Sequence, residues 1–271
     1  MSPAWWQWSA RWALWREDRA VRRRPIAPDL WRRTLNRYPF LRRRDPADEQ
    51  RLQRMCSLFL DRKEFSAVGR VRLGNDVVVA VAAQACLPAL RLGLSVYDGF
   101  VGIVLHEDAV LVRRETRDEA GVVHDEEQVL AGEAMDGGPL MLSWRDVRQA
   151  GQSARVGYNV AIHEFAHVMD MRHGLSGDEP ALPAGLSVRH WVSTLARAYE
   201  SHAEAVDRDE ETLLDPYGAQ APEEFFAVAS EAFFVAPQRL LQTDAALYEL
   251  LKGWYRQDPA VEMPPPRPFE E

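Results

Sequence analysis

Residues 159–170 read Asn159-Val160-Ala161-Ile162-His163-Glu164-Phe165-Ala166-His167-Val168-Met169-Asp170, and the rest of the chain is read from this stretch outward. On an α-helix, side chains four residues apart stand one above the other, so the imidazoles of His163 and His167 project from one face. Two imidazoles in that register take two corners of a tetrahedral metal, and zinc is the ion such a ligand set favours. Glu164 lies about 100° further round the helix. From there it reaches a water beside the metal without taking a coordination position, as a general base must. The flanking Val160, Ala161, Ile162, Phe165, Ala166, Val168 and Met169 mark the helix as buried. Burying two imidazoles and a carboxylate without an ion to engage them would be costly.

A catalytic zinc needs a third protein ligand and an open fourth position. His173 stands ten residues after His163, the spacing metzincins use, but Asp170 occupies the place where that pattern has a turning glycine. Asp170 is one turn from His167 and is better placed to hold an imidazole N–H than to ligate. The remaining source is a separate downstream helix, the gluzincin arrangement. The run from Pro222 to Phe234 is apolar apart from Glu223, Glu224, Ser230 and Glu231. Glu224 and Glu231 are seven residues apart on nearly one face, and a carboxylate facing that core demands a cationic partner.

Outward from the motif, Leu52, Met55, Leu58 and Phe59 are spaced for a helix over 46–65, and the apolar block 76–94 for a buried helix ending near Pro88. Strands are expected at Leu94–Tyr97, at Gly102–Leu105 and Val110–Arg113 as a hairpin, and at Leu140–Trp144. Turns with short strands are expected over 114–138. From Asn159 onward the pattern is helical, broken between Gly174 and Gly185. Trp5, Trp8, Trp12 and Trp15 share one helical face near the start, with Arg11, Arg16 and Arg19 largely elsewhere on the helix. Such a face packs on the body or lies on an anionic membrane surface.

The chain has 271 residues, 46% hydrophobic and 27% charged, so it buries a sizeable core and is neither disordered nor a disulfide-stapled miniature. Its net charge is 33 − 41 = −8. Residues 1–44 carry twelve Arg against three acids, +9, leaving −17 for the other 227 residues. So acidic a body argues against direct nucleic-acid binding. Cys56 and Cys86 form no Cys-x-x-Cys pair and read as buried free thiols of a reducing compartment. With no long apolar run and no signal-peptide pattern, a cytoplasmic location is expected.

The words HEFAHVMD (163–170) and DPYGAQAPEEFFAVASEAFF (215–234) resemble the Mlc titration factor A family of zinc peptidases. ACLPALRLGLSVYDGF (85–100), GPLMLSWRDV (138–147) and GYNVAIHEFAH (157–167) stand in the order that family has, and the likeness covers roughly residues 45–258. The terminal pair of motifs is also similar to the catalytic domain of anthrax lethal factor, more remotely. The resemblance implies one zinc ion per chain held by His163, His167 and Glu224, rather than Glu223, with Glu164 as base. It places a tyrosine beside the metal, here Tyr217, whose phenol is suited to donate a hydrogen bond to an oxyanion. His173 is incidental in that pattern.

The implied fold is α+β and zincin-like, of the gluzincin type, with a small, mostly antiparallel sheet beside the metal-binding helix. Residues 1–44 form a Trp/Arg-rich arm, 45–258 the peptidase domain, and 259–271 an extended Pro-rich tail. By analogy, Leu140–Trp144 is the sheet edge that pairs with an extended peptide substrate. The activity implied is that of a metallopeptidase, an aminopeptidase acting on small peptides, for which Glu223, Glu231 and Asp170 are the acids near enough in sequence to hold a substrate ammonium. The family's name implies a second function, sequestration of an Mlc-like, sugar-responsive transcription repressor. As an alternative, the protein is a repressor-binding protein in which peptidase activity is secondary or absent.

Overall fold

The computed structural model describes residues 15–108, 110–117, 123–130, 132–134 and 138–263. Its helices are α1 (15–23), α2 (Pro28–Arg37), α3 (Pro46–Arg62), α4 (Asn75–Ala89), α5 (Trp144–Ser153), α6 (Val160–His173), α7 (Val188–Asp207), α8 (Pro222–Val235), α9 (Pro237–Thr243), α10 (Ala245–Tyr255) and α11 (Pro259–Glu262). The strands are β1 (Glu64–Ala67), β2 (Gly102–His106), β3 (Val110–Arg117), β4 (Val123–Leu130), β5 (Gly132–Ala134) and β6 (Leu140–Ser143). Trp5, Trp8 and Trp12 of the expected N-terminal face, and the tail from 264, lie outside the described residues. Among the described residues, no helix is long and apolar enough to cross a membrane.

Three helices that are apolar nearly all round, α4, α6 and α8, make the centre of the molecule. A helix with no polar face is stable only when enclosed. Accordingly α4 packs between α3 and α6, while α8 covers the other side of α6. Phe165 of α6 fills the space toward α3, with Tyr97, Phe59 and Phe100 ring centroids at 4.8, 5.7 and 6.1 Å. Trp191 and Trp254 close the far side, with ring centroids 6.0 Å apart. Cys56 and Cys86 are buried and unpaired by any disulfide, as expected. The N-terminal residues Ile26, Trp31, Leu35, Tyr38, Phe40 and Leu41 belong to the same core.

The main sheet runs β1-β2-β6-β5. β1, β2 and β6 are parallel to one another, and only β5 runs antiparallel, against β6. This overturns the mostly antiparallel sheet read from the sequence. The cause is connectivity: α4 is the crossover between β1 and β2, and a helical crossover returns the chain parallel. For the same reason β2 and β3 form no hairpin. Both ladders of β2 are taken, by β1 and β6, and β3 pairs with β4 in a separate antiparallel ribbon. The expected strand Leu94–Tyr97 is a 3-10 turn. Gly93, at φ +84°, reverses the chain, and the Tyr97 hydroxyl donates to the Ala85 carbonyl at 2.7 Å, tying the turn to α4.

β6 is an interior strand, flanked by β2 and β5, and Trp144 already belongs to α5. The substrate edge expected at Leu140–Trp144 is therefore not an edge. On the side where α6 packs against the sheet, the outer strand is β5. At the other end, Pro259–Glu262 is a short helix rather than extended chain. It is held by hydrogen bonds from the Arg44 N–H to the Glu262 carbonyl and from the Gln238 amide to Ala260.

Candidate metal centre

Helix α6 starts where Asn159 caps it, its side-chain oxygen accepting the Ile162 N–H at 2.9 Å. It stops at Gly174, φ +61°, whose N–H returns to the Asp170 carbonyl. Between these ends, His163 and His167 face the same way, ring centroids 4.7 Å apart. Helix α8 crosses opposite them and brings Glu224 from its first turn and Glu231 from two turns further along.

Three donor atoms then meet. His163 Nε2 and His167 Nε2 are 3.1 Å apart, and Glu224 Oε2 is 3.2 Å from each. Ligands about 2.0 Å from a tetrahedral ion have edges of about 3.3 Å, so this nearly equilateral triangle matches three corners of such a site. Among the described residues, these three side chains are the group able to hold a metal ion. Glu223, next to Glu224, points to solvent.

Glu231 is fully enclosed, 1% exposed. Its Oε1 accepts from His163 Nδ1 at 2.7 Å, and its Oε2 accepts the backbone N–H of Asn159. With Nδ1–H donated to Glu231, release of the Nε2 proton to an incoming ion would leave that lone pair facing the triangle. Asn159 also donates to Gln84 of α4 at 2.9 Å, and Gln84 donates to the carbonyls of Ala80 and Val147. The orientation of one imidazole is thus passed back through a buried polar chain to the central helix.

Electrostatics agree with the geometry. Burial pushes the Glu164 carboxyl up to about 7, although His163 and His167 pull it the other way. Burial also works to raise Glu224, but hydrogen bonds from the two imidazoles outweigh it and hold the carboxyl at about 2. Burial acts to lower His163, and its two glutamate partners raise it well above the ordinary histidine value. Three carboxylates and two imidazoles share one largely buried place, a surplus of negative charge that a dication offsets.

Tyr217 lies on the 3-10 turn Pro216–Ala219 between α7 and α8, its ring centroid 6.2 Å from that of His163. That turn is fixed from below. His202 and Tyr199 of α7 bond the carbonyls of Asp215 and Ala219 at 3.1 and 3.2 Å, and Asp215 caps the Tyr217 N–H. Asp170 does not hold an imidazole. It accepts from the N–H and hydroxyl of Ser176 at 2.7 and 2.6 Å, stabilising the loop after α6. His173 packs on Trp254 at 5.2 Å and is not in the metal group.

Sequence reading missed the orienting role of Glu231, for which the signal was the seven-residue spacing from Glu224.

The profile of the glucose-regulated metallo-peptidase M90 family matches residues 12–256. An uncharacterized protein of Synechocystis sp. is 35% identical over 252 residues, 92% of this chain and 91% of the relative. Mlc titration factor A of Cronobacter sakazakii is 32% identical over 240 residues, covering 88% of this chain and 89% of the relative. Mlc titration factor A of Edwardsiella ictaluri is 34% identical over 215 residues, 78% and 81% of the two chains.

Proposed function

The chain belongs to the glucose-regulated metallo-peptidase M90 family, and from that premise we propose that it is a zinc-dependent peptidase of zincin-like, gluzincin type. His163, His167 and Glu224 hold the ion. The observation that carries this reading is the triangle of donor atoms with sides of 3.1–3.2 Å. Two imidazoles and one carboxylate form a zinc set, whereas calcium and magnesium take oxygen-rich ones. A zinc ion there supplies a Lewis acid that acidifies a water and polarises the scissile carbonyl.

The chain's own residues do the rest. Glu164, one residue from a ligand yet outside the triangle, takes the proton of the attacking water and returns it to the leaving amine. Burial raises its carboxyl in the metal-free site, and a bound dication would act to lower it again, toward the ionised form a base needs. Tyr217 donates its phenolic hydrogen to the developing oxyanion. Glu231 keeps His163 in the tautomer that ligates. The extended substrate adds to the outer side of β5, the edge strand beside α6 among the described residues.

Cleavage from the amino terminus of small peptides is the specificity proposed. Glu231 and Asp170 are occupied, by His163 and Ser176, which leaves the exposed Glu223 as the acid for a substrate ammonium. Aminoacyl reporters with free and blocked amino groups distinguish this from internal cleavage. A second reading is supported by two relatives named Mlc titration factor A: the protein binds an Mlc-like repressor, with or without hydrolysis. The deciding experiment combines metal analysis with Glu164→Gln. One zinc per chain is expected, retained in the variant, with peptide cleavage lost and any repressor capture in a pull-down kept. Parental cleavage by Glu164→Gln would refute the assigned chemistry.

A further inference from the structure

The three parallel strands end at a second concavity, which shares no residue with the metal triangle. Its volume is about 890 Å³, in the range of small-molecule sites. The chain after β1, the residues after β2 and the first turn of α5 after β6 all contribute to its wall. In open parallel sheets the carboxyl ends of the strands are where ligands bind, because loops and helix N-termini converge there. Here α4, of 15 residues, and α5, of 10, both begin at the cavity.

Its charge is opposite in sign to that of the chain as a whole. Arg37, Arg70, Arg72, Arg145 and Arg148 line it, against Asp76, Glu107 and Asp108, for 5 − 3 = +2 in a chain of net −8. Arg70 is 3.6 Å from Glu107 and Arg145 is 3.3 Å from Asp108. Among the described residues, Arg37, Arg72 and Arg148 have no carboxylate within ion-pair distance, although Asp76 shares the cavity. Next to Arg37 in sequence, Tyr38 is buried, 1% exposed, and among the described residues its hydroxyl has no hydrogen-bond partner. Burial raises that phenol to about 12, and its charged neighbours are Arg37, Arg148 and Asp76, all of the cavity wall. Val71, Leu73, Val77 and Trp144 supply an apolar side, so the space suits an anion with an organic body.

We propose that this cavity binds a small organic phosphate monoester, its dianion on Arg37, Arg72 and Arg148 and its organic part against Trp144. Guanidinium groups engage phosphate through paired charge-assisted hydrogen bonds, and the start of α5 adds a favourable dipole. Nothing in this assignment depends on the peptidase reading.

The test is calorimetric titration of the full, metal-loaded chain with phenyl phosphate, inorganic phosphate and benzyl alcohol at matched ionic strength. Saturable binding of phenyl phosphate is expected, with inorganic phosphate weaker and benzyl alcohol silent. Arg37→Ala/Arg148→Ala should weaken it at least about tenfold, the loss of one or two charged hydrogen bonds. Arg72→Ala, on an exposed loop, provides an independent variant should the double one fold poorly. Glu224→Ala should leave the affinity unchanged, which separates this cavity from phosphate bound at the metal. Absence of saturable binding, equal affinity in the arginine variants, or loss of binding in Glu224→Ala would each overturn the proposal.

Discussion

Glu231 Oε1 stands 2.7 Å from His163 Nδ1, while Glu224, two turns earlier on the same helix, faces the other nitrogen of that ring at 3.2 Å. One helix therefore approaches both sides of one imidazole. Because Glu231 is also bonded to the Asn159 N–H at the start of α6, it joins the two central helices where the donor atoms meet.

Glu231→Gln tests that relationship. The glutamine can offer one oxygen, but its NH2 must then face either the Asn159 N–H or His163 Nδ1–H, donor against donor. Metal affinity is expected to fall by about 10- to 100-fold, the usual cost of removing the group that orients a ligating histidine. Competition with a chromophoric chelator measures it. Unchanged affinity would mean that Glu231 serves packing alone.

Tyr217→Phe separates oxyanion stabilisation from metal binding. The ring remains beside His163 while the phenolic hydrogen is lost. Loss of one such donor costs about 100- to 1000-fold in kcat, with KM and zinc content little changed. A fall in zinc content instead of kcat would assign Tyr217 to holding the site together.

Phe165, between Glu164 and the rest of the motif helix, is fully buried against Tyr97, Phe59 and Phe100. Phe165→Ala should destabilise the fold by about 3–5 kcal/mol, as large-to-small changes in closed cores do. Urea unfolding of the metal-free protein reads this directly. A cost below about 1 kcal/mol would indicate that the aromatic cluster collapses around the gap.

Helix α6 was legible because its information is local: a four-residue spacing and an apolar surround suffice to put two imidazoles on one face. The apolar helix with carboxylates on one side was a second local pattern, but the choice of Glu224 from it came with the family resemblance. Strand direction was not legible in the same way. Gly102–Leu105 and Val110–Arg113 look like a hairpin by proximity, yet β2 is enclosed by β1 and β6, whose register partners lie 38 and 37 residues away in sequence. Asp170, expected to hold an imidazole, holds Ser176 instead, and Glu231 holds His163, for a related reason. Which acid meets an imidazole depends on how α8 lies across α6, and neither helix records that alone.

Acid stability offers a last prediction, centred on Asp258. Burial acts to raise its carboxyl, but the Tyr248 hydroxyl at 2.5 Å and Lys252 at 2.9 Å prevail and hold it below the ordinary value. A carboxyl depressed in the folded state contributes stability that is complete above its unfolded pKa, about 3.9. That contribution fades as pH falls through the lower folded value, because the unfolded chain takes up the proton first. Asp258→Asn keeps an acceptor for Tyr248 but removes the charge. The variant should therefore be less stable than the parent at pH 6, and the gap should narrow as pH falls below about 4. Chemical denaturation at those pH values measures the difference. A gap that stayed constant with pH would show that the hydrogen bond, and not the charge, is what Asp258 contributes to the joint between α10 and α11.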